Sequence, residues 1–150
     1  MYFLLFQLYI INFKCMIKVL VSGCFDILHI GHVKFLKAAK NAGDYLVVLL
    51  ESDEKVKKLK GPNRPIHNQS QRAEMLESLK MVDEVIKLPT ITTYEQYLTV
   101  VKKIKPDIIA ITSGDPNWEI KKRMAKEVGG KVEVVITRIN KYSTSSISKL

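Results

Sequence analysis

Five short aliphatic runs punctuate this 150-residue chain: residues 17–21 (IKVLV), 45–50 (YLVVLL), 82–88 (VDEVIKL), 107–111 (DIIAI) and 132–136 (VEVVI). Short runs dominated by Val, Ile and Leu suit strands buried on both faces, as in a parallel sheet. The segments between them change period. Residues 31–42 carry Val33, Leu36 and Ala39 at helical spacing with lysines opposite, and Gly43 ends them. Residues 70–80 turn Ala73, Leu76 and Leu79 inward, and Thr93 with Gln96 makes a capping-box pattern that opens a helix reaching Ile104. Asp115-Pro116 reads as an N-cap and first-turn proline for a helix running through Trp118 to Val128, stopped by Gly129-Gly130. Residues 143–150 read as a capped short helix, and residues 51–69, polar and interrupted by Gly61, Pro62 and Pro65, as a long loop. Regular alternation of this kind predicts one α/β domain, a five-stranded parallel sheet with helices on both faces.

Ligands of such sheets bind outside the carboxyl ends of the strands, near a switch in strand order. The segments that follow each strand are therefore where function is expected. A hydrophobic fraction of 47% supports a real core, and the formal net charge of +9 suits an anionic ligand, although many lysines serve as solvated helix faces. Two cysteines, Cys15 and Cys24, make neither a disulfide framework nor a zinc spacing, which points to the cytoplasm. Residues 2–13 (YFLLFQLYIINF) are apolar but shorter than the roughly 20 residues a membrane-spanning helix needs. They lack a positive leading region and a small-residue cleavage site. Met16 is read as the natural start, residues 1–15 as an apolar extension and residues 16–150 as the functional domain, with no stable membrane association expected.

The first strand runs into Ser22-Gly-Cys24-Phe25-Asp26-Ile-Leu-His29-Ile-Gly31-His32. Two of the chain's three histidines flank a glycine at a helix N-terminus, where free N–H groups and partial positive charge attract phosphate. Gly31 removes a side chain where a nucleotide would approach, and the histidines can donate to α-phosphate oxygens as charge builds on phosphorus. Neither GxxxxGK[ST] nor GxGxxG is present. The simplest chemistry is in-line attack by an acceptor phosphate, with the protein positioning reactants and stabilising charge.

This segment, with Gly43-Asp44 after it, resembles the signature GxFDxxHxGH of the cytidylyltransferase-like nucleotidyltransferases, and the resemblance runs from about Met16 to the C-terminus. It implies a single Rossmann-like domain and a reaction in which a nucleoside triphosphate, arriving with Mg²⁺, gives its nucleotidyl group to a small phosphorylated acceptor. It implies His29 and His32 as catalytic residues. The Lys-x-Lys that follows strand two in that family matches Lys58 and Lys60, one reaching the acceptor and the other catalytic, and Arg72 matches a recurrent arginine that binds phosphate or braces the loop. Cys24, Phe25, Asp26 and Gly31 fall in the nucleotide-binding loop. Ser113-Gly114-Asp115 resembles the turn that holds base and ribose, and Arg138, Tyr142, Ser143, Thr144 and Ser145 resemble the C-terminal motif that opens a helix onto the phosphates. No metal ligands are implied in the chain itself.

Three acceptors compete. KGPNRPI, VDEV and YSTSSI resemble the adenylyltransferase domain that makes ADP-heptose-type sugars, so ATP and a sugar 1-phosphate rank first. Asp44-Tyr-Leu-Val-Val and Arg138 resemble glycerol-3-phosphate cytidylyltransferase, but Ile139, Asn140 and Lys141 depart from its Thr-Glu-Gly, and Tyr97 stands where it has an acceptor-binding lysine. KPDIIAI and KVEVV resemble archaeal FAD synthases, whose acceptor is FMN. The HIGH tetrapeptide also marks class I aminoacyl-tRNA synthetases, for which this chain is too short, and no nucleic-acid partner is expected. A nucleotide sensor without turnover is the non-enzymatic alternative, and a homodimer is compatible with the reading.

Overall fold

A computed structural model of the protein describes residues 15–137. Five strands, β1 (Lys18–Gly23), β2 (Tyr45–Leu50), β3 (Glu84–Lys87), β4 (Ile108–Thr112) and β5 (Lys131–Ile136), form one sheet in the order β3-β2-β1-β4-β5, and every pairing is parallel. The helices are α1 (Ile30–Asn41), α2 (Asp53–Lys60), α3 (Gln69–Glu77), α4 (Tyr94–Ile104) and α5 (Trp118–Glu127). The predicted doubly covered parallel sheet is present.

Strand alternation explains why both faces are covered. Val19, Val21, Leu46, Val48 and Leu50 point to one face and pack with Leu36 and Ala39 of α1 and Ala73 and Leu76 of α3. Leu20, Val47, Leu49 and Ile109 point to the other and pack with Val101 and Ile104 of α4 and Met124 and Ala125 of α5. These side chains are almost entirely buried, and burying a Val or Leu contributes about 1.5–3 kcal/mol each. β1 lies between β2 and β4, so strand order reverses there, and the crevice outside their carboxyl ends is the place for a ligand.

Local differences from the sequence-based expectation have physical causes. The segment expected as one long loop contains α2. Ser52 caps it by accepting the Lys55 N–H, Asp53 and Glu54 occupy the first turn, and Lys57, Lys58 and Lys60 the last, an order that complements the helix dipole. Only Val56 of α2 is buried, so no apolar period betrays it. α5 starts later than Asp115-Pro116 suggests. Asn117 holds the N-cap position without a side-chain bond, while Asp115 accepts from the Asn117 N–H and pairs with Lys121. β3 is four residues rather than seven, and just before it the Asp83 carboxylate accepts from the Leu46 N–H and Lys40. The Thr93–Gln96 capping box is present as expected. The expected helix at 143–150 and the extension lie outside the described residues, Cys15 apart.

Candidate active site

β1 ends at Gly23, and the chain turns sharply outside the sheet. Phe25 adopts φ 43°, in the left-handed region, which points Asp26 inward. Gly23 is required by the same turn: a Cβ there would lie 2.9 Å from the Phe25 ring. The ring packs on His32 at 5.1 Å between centroids, tilted by 59°.

His29 is the N-cap of α1. The Gly31 N–H donates to its Nδ1 at 3.1 Å, so the neutral imidazole carries its proton on Nε2 and can donate from there. His32 stacks on His29 with centroids 3.8 Å apart. Burial, then the Lys60 charge, pushes the His29 pKa below its ordinary value. Burial, His29 and Lys60 together push His32 down to about 4, and the nearby Ile27 carbonyl opposes this only weakly. His32 Nδ1 is buried with no partner in hydrogen-bonding geometry. At neutral pH the pair is uncharged, held together, and set at a helix N-terminus.

Lys60, the last residue of α2, is brought to this pair: its charge acts on His29, His32 and the Cys24 thiol. Lys58 is not brought with it. Residues two apart on a helix do not share a face, so Lys58, exposed like Lys60, projects in a different direction from it. The helix therefore separates the two lysines that the sequence pairs.

Asp26 and Arg72 both make structural contacts, and for Arg72 these are the loop bracing expected as one of its two roles. Asp26 is fully buried and accepts from the Ile66 N–H (2.7 Å), the His67 N–H (3.2 Å) and Arg64 Nε. Burial raises its pKa, but those bonds and the Arg64 charge outweigh it and lower it overall. Its carboxylate fastens the 64–67 segment beneath the histidine loop rather than facing a nucleotide. Arg72, fully buried, is likewise not exposed to an acceptor. Its guanidinium donates to the carbonyls of His67 (3.0 Å), Cys24 (2.5 Å) and Glu51 (2.9 Å) and to Asp53 (2.7 Å), tying three loops at one edge of the sheet.

Gly114, at φ 70°, and Asp115 follow β4 on the same edge, where the Ser113 N–H donates to the Ile136 carbonyl. Gly31 contributes its N–H to His29, and Cys24 its carbonyl to Arg72. Arg138, Tyr142, Ser143, Thr144 and Ser145 lie outside the described residues. The sequence does not single out Glu51 or Arg64, and it marks Tyr97 only as standing where glycerol-3-phosphate cytidylyltransferase has an acceptor-binding lysine. Tyr97 donates to Glu51 Oε1, whereas Glu51 Oε2 and Arg64 Nη2 are buried without partners. The available signal was an acidic residue directly after a strand as apolar as β2.

The chain resembles known proteins along most of its length. The model of the cytidylyltransferase-like family matches residues 20–149. The bifunctional protein HldE of Aliarcobacter butzleri is 40% identical over 132 residues, which are 88% of this chain and 26% of that protein. This chain spans about a quarter of the length of such relatives. An FAD synthase from Thermococcus sibiricus is 47% identical over 108 residues, covering 71% of this chain and 69% of that one. The crystal structure of a lipopolysaccharide core biosynthesis protein from Thermoplasma volcanium superposes with a TM-score of 0.64 at 32% identity, over 85% of this chain and 99% of that chain. Among the described residues no helix is long and apolar enough to cross a membrane. With its doubly covered parallel sheet and its histidine pair at the switch point, the chain belongs to the cytidylyltransferase-like family of nucleotidyltransferases.

Proposed function

We propose that this protein transfers the adenylyl group of ATP to a sugar 1-phosphate, releasing pyrophosphate. The observation that carries the reading is the neutral, stacked His29–His32 pair at the N-terminus of α1, with Lys60 beside it. An acceptor phosphate oxygen attacks the α-phosphorus in line. The new P–O bond forms as the bond to the β-phosphate oxygen breaks, and pyrophosphate leaves with that electron pair. The acceptor phosphate is already an anion, so no general base is needed. His29 Nε2–H, His32 and the first amides of α1 hold the α-phosphate oxygens, and their bonds strengthen as charge accumulates there. Lys60 neutralises the incoming phosphate. Mg²⁺ would come with the triphosphate, held by phosphate oxygens and water.

The similarity to HldE proteins and to the lipopolysaccharide core biosynthesis protein supports a sugar phosphate acceptor. The FAD synthase at 47% identity supports a second reading, with FMN as acceptor and ATP again as donor. A matrix of ATP, CTP, GTP and UTP against sugar 1-phosphates, FMN and glycerol 3-phosphate, read as pyrophosphate release, separates them. The expected result is turnover with ATP and a sugar 1-phosphate. Turnover only with FMN selects the second reading, turnover only with CTP overturns the nucleotide assignment, and nucleotide binding with no turnover makes the protein a sensor.

A further inference from the structure

Glu51 is the first residue after β2, and Tyr97 lies on the first turn and a half of α4. The two meet where the carboxyl ends of β1 and β2 open: the Glu51 N–H donates to the Gly23 carbonyl, and Tyr97 Oη donates to Glu51 Oε1. Glu51 is 8% exposed, yet its Oε2 has no partner. A buried carboxylate oxygen without a donor is costly and calls for one. Cys24 links this pair to the histidine site. Burial raises the thiol pKa, while Lys60 lowers it and Glu51 raises it, so the thiol lies within reach of both charges. Burial also raises the Tyr97 pKa, as do its bond to Glu51 and the Glu51 charge, so its hydroxyl remains a donor. Lys55 crosses the Tyr97 ring, its ammonium 5.9 Å from the centroid and donating to the Ile91 carbonyl.

We propose that Glu51 and Tyr97 form the hydroxyl-reading wall of the acceptor pocket, and that Glu51 Oε2 accepts from a hydroxyl beside the phosphate-bearing carbon of a polyhydroxylated acceptor. This inference rests on the proposed transfer to a phosphorylated acceptor. Charge sorts the two ends of such a molecule. The phosphate is repelled by Glu51 and drawn to Lys60, and a neutral hydroxyl is the donor that fits Oε2.

The test uses the whole chain with ATP, glucose 1-phosphate or mannose 1-phosphate, and the 2-deoxy analogue common to both. Glu51→Gln keeps an oxygen for Tyr97 and turns the other acceptor into a donor; Tyr97→Phe removes the bond that orients the carboxylate. Glu51→Gln should lower kcat/KM for the hydroxylated acceptor by about 10- to 100-fold, the worth of a hydrogen bond to a charged group. The preference for hydroxylated over deoxy acceptor should collapse toward one, and the KM for ATP should move much less. Tyr97→Phe should shift the preference the same way by a smaller factor. A merely structural role would change both acceptors alike. A wild-type preference that survives in Glu51→Gln, or no preference in the wild type, overturns the inference and leaves the proposed transfer standing. If the wild type neither turns over nor binds these sugar phosphates beside a non-hydrolysable ATP analogue, the proposed acceptor class and this inference fall together.

Discussion

The two edges of the sheet treat polar groups in opposite ways. At the amino edge they are closed off. Asp44 accepts from the Ile17 N–H (2.9 Å), Asp107 from the Lys18 N–H (2.7 Å), and Asp83 from the Leu46 N–H (2.6 Å) and Lys40. Gly43 and Gly130 let neighbouring segments pass so closely that a Cβ would meet the Val19 side chain at 2.6 Å and the Pro106 carbonyl at 2.5 Å. At the carboxyl edge polar groups are left open. The buried side-chain atoms without partners among the described residues are His32 Nδ1, Glu51 Oε2 and Arg64 Nη2, and all three lie around the β1 and β2 exits. An unpaired buried polar atom destabilises, so a molecule that completes one edge and leaves the other short of donors and acceptors holds the second for something else. The difference separates residues that build the domain from residues that work, and substitutions at each edge should tell them apart.

The largest effect should come from the histidines. If they act on developing charge, His29→Ala and His32→Ala should each lower kcat by about 10²–10³, or roughly 2.7–4 kcal/mol, with far less change in nucleotide affinity. Steady-state kinetics beside direct nucleotide titration decide this. A raised KM at wild-type kcat would mean uniform binding and reduce the pair to a phosphate-binding helix cap.

A second effect is thermodynamic. An unfolded histidine titrates near 6.5, and folded His32 near 4. Between those values the unfolded chain binds more protons, so stability is flat above pH 6.5 and falls as pH drops toward 4. The loss attributable to His32 is on the order of 3 kcal/mol. Chemical denaturation at pH 7.5 and 4.5 should show this fall in the wild type and much less of it in His32→Gln. Equal falls in both would show that His32 is protonated freely in the folded protein and is not one of the unsatisfied groups of the carboxyl edge.

Much of this division was legible in the sequence. The strands of the core announce themselves because both faces are buried, and His29-Ile-Gly31-His32 stands directly after β1. The unread parts depend on partners far away in the chain. α2 buries only Val56, so its helical nature rests on Ser52 and on charge order rather than on a period. Asp26 and Arg72 look like ligand contacts until the fold supplies Arg64 and the 66–67 amides for one and three loop carbonyls for the other. Glu51 and Tyr97 are 46 residues apart, and nothing local pairs them.

At the closed edge, overpacking should cost stability alone. The nearest atoms to a Cβ on Gly130 belong to the backbone of Pro106 and Asp107, which cannot rotate away. Gly130→Ala should destabilise by about 1–3 kcal/mol, with kcat unchanged at a temperature where the variant is folded. A thermal melt and a rate measured well below it test both halves. A lowered kcat in the fully folded variant would show that strain crosses the sheet, and the two edges would no longer be independent.

The smallest effect should follow removal of one amino-edge carboxylate. Asp107→Ala deprives the Lys18 N–H of its acceptor, but this bond is exposed, so water replaces it. The Asp107 backbone still accepts from Lys131 and donates to the Lys18 carbonyl, which keeps β4 in register between β1 and β5. The cost should be about 1 kcal/mol, a shift of about 2–4 °C in melting temperature for a domain of this size. kcat and nucleotide affinity should match the wild type, because the lost bond lies at the opposite end of β1 from His29 and His32. Asp26→Ala is the informative partner. It removes a carboxylate that likewise accepts backbone N–H groups, but from the 66–67 amides below the histidine loop, so it should lower both stability and kcat. If the two alanine variants lose stability and rate in the same proportion, the contrast between the edges is one of burial only and not of function.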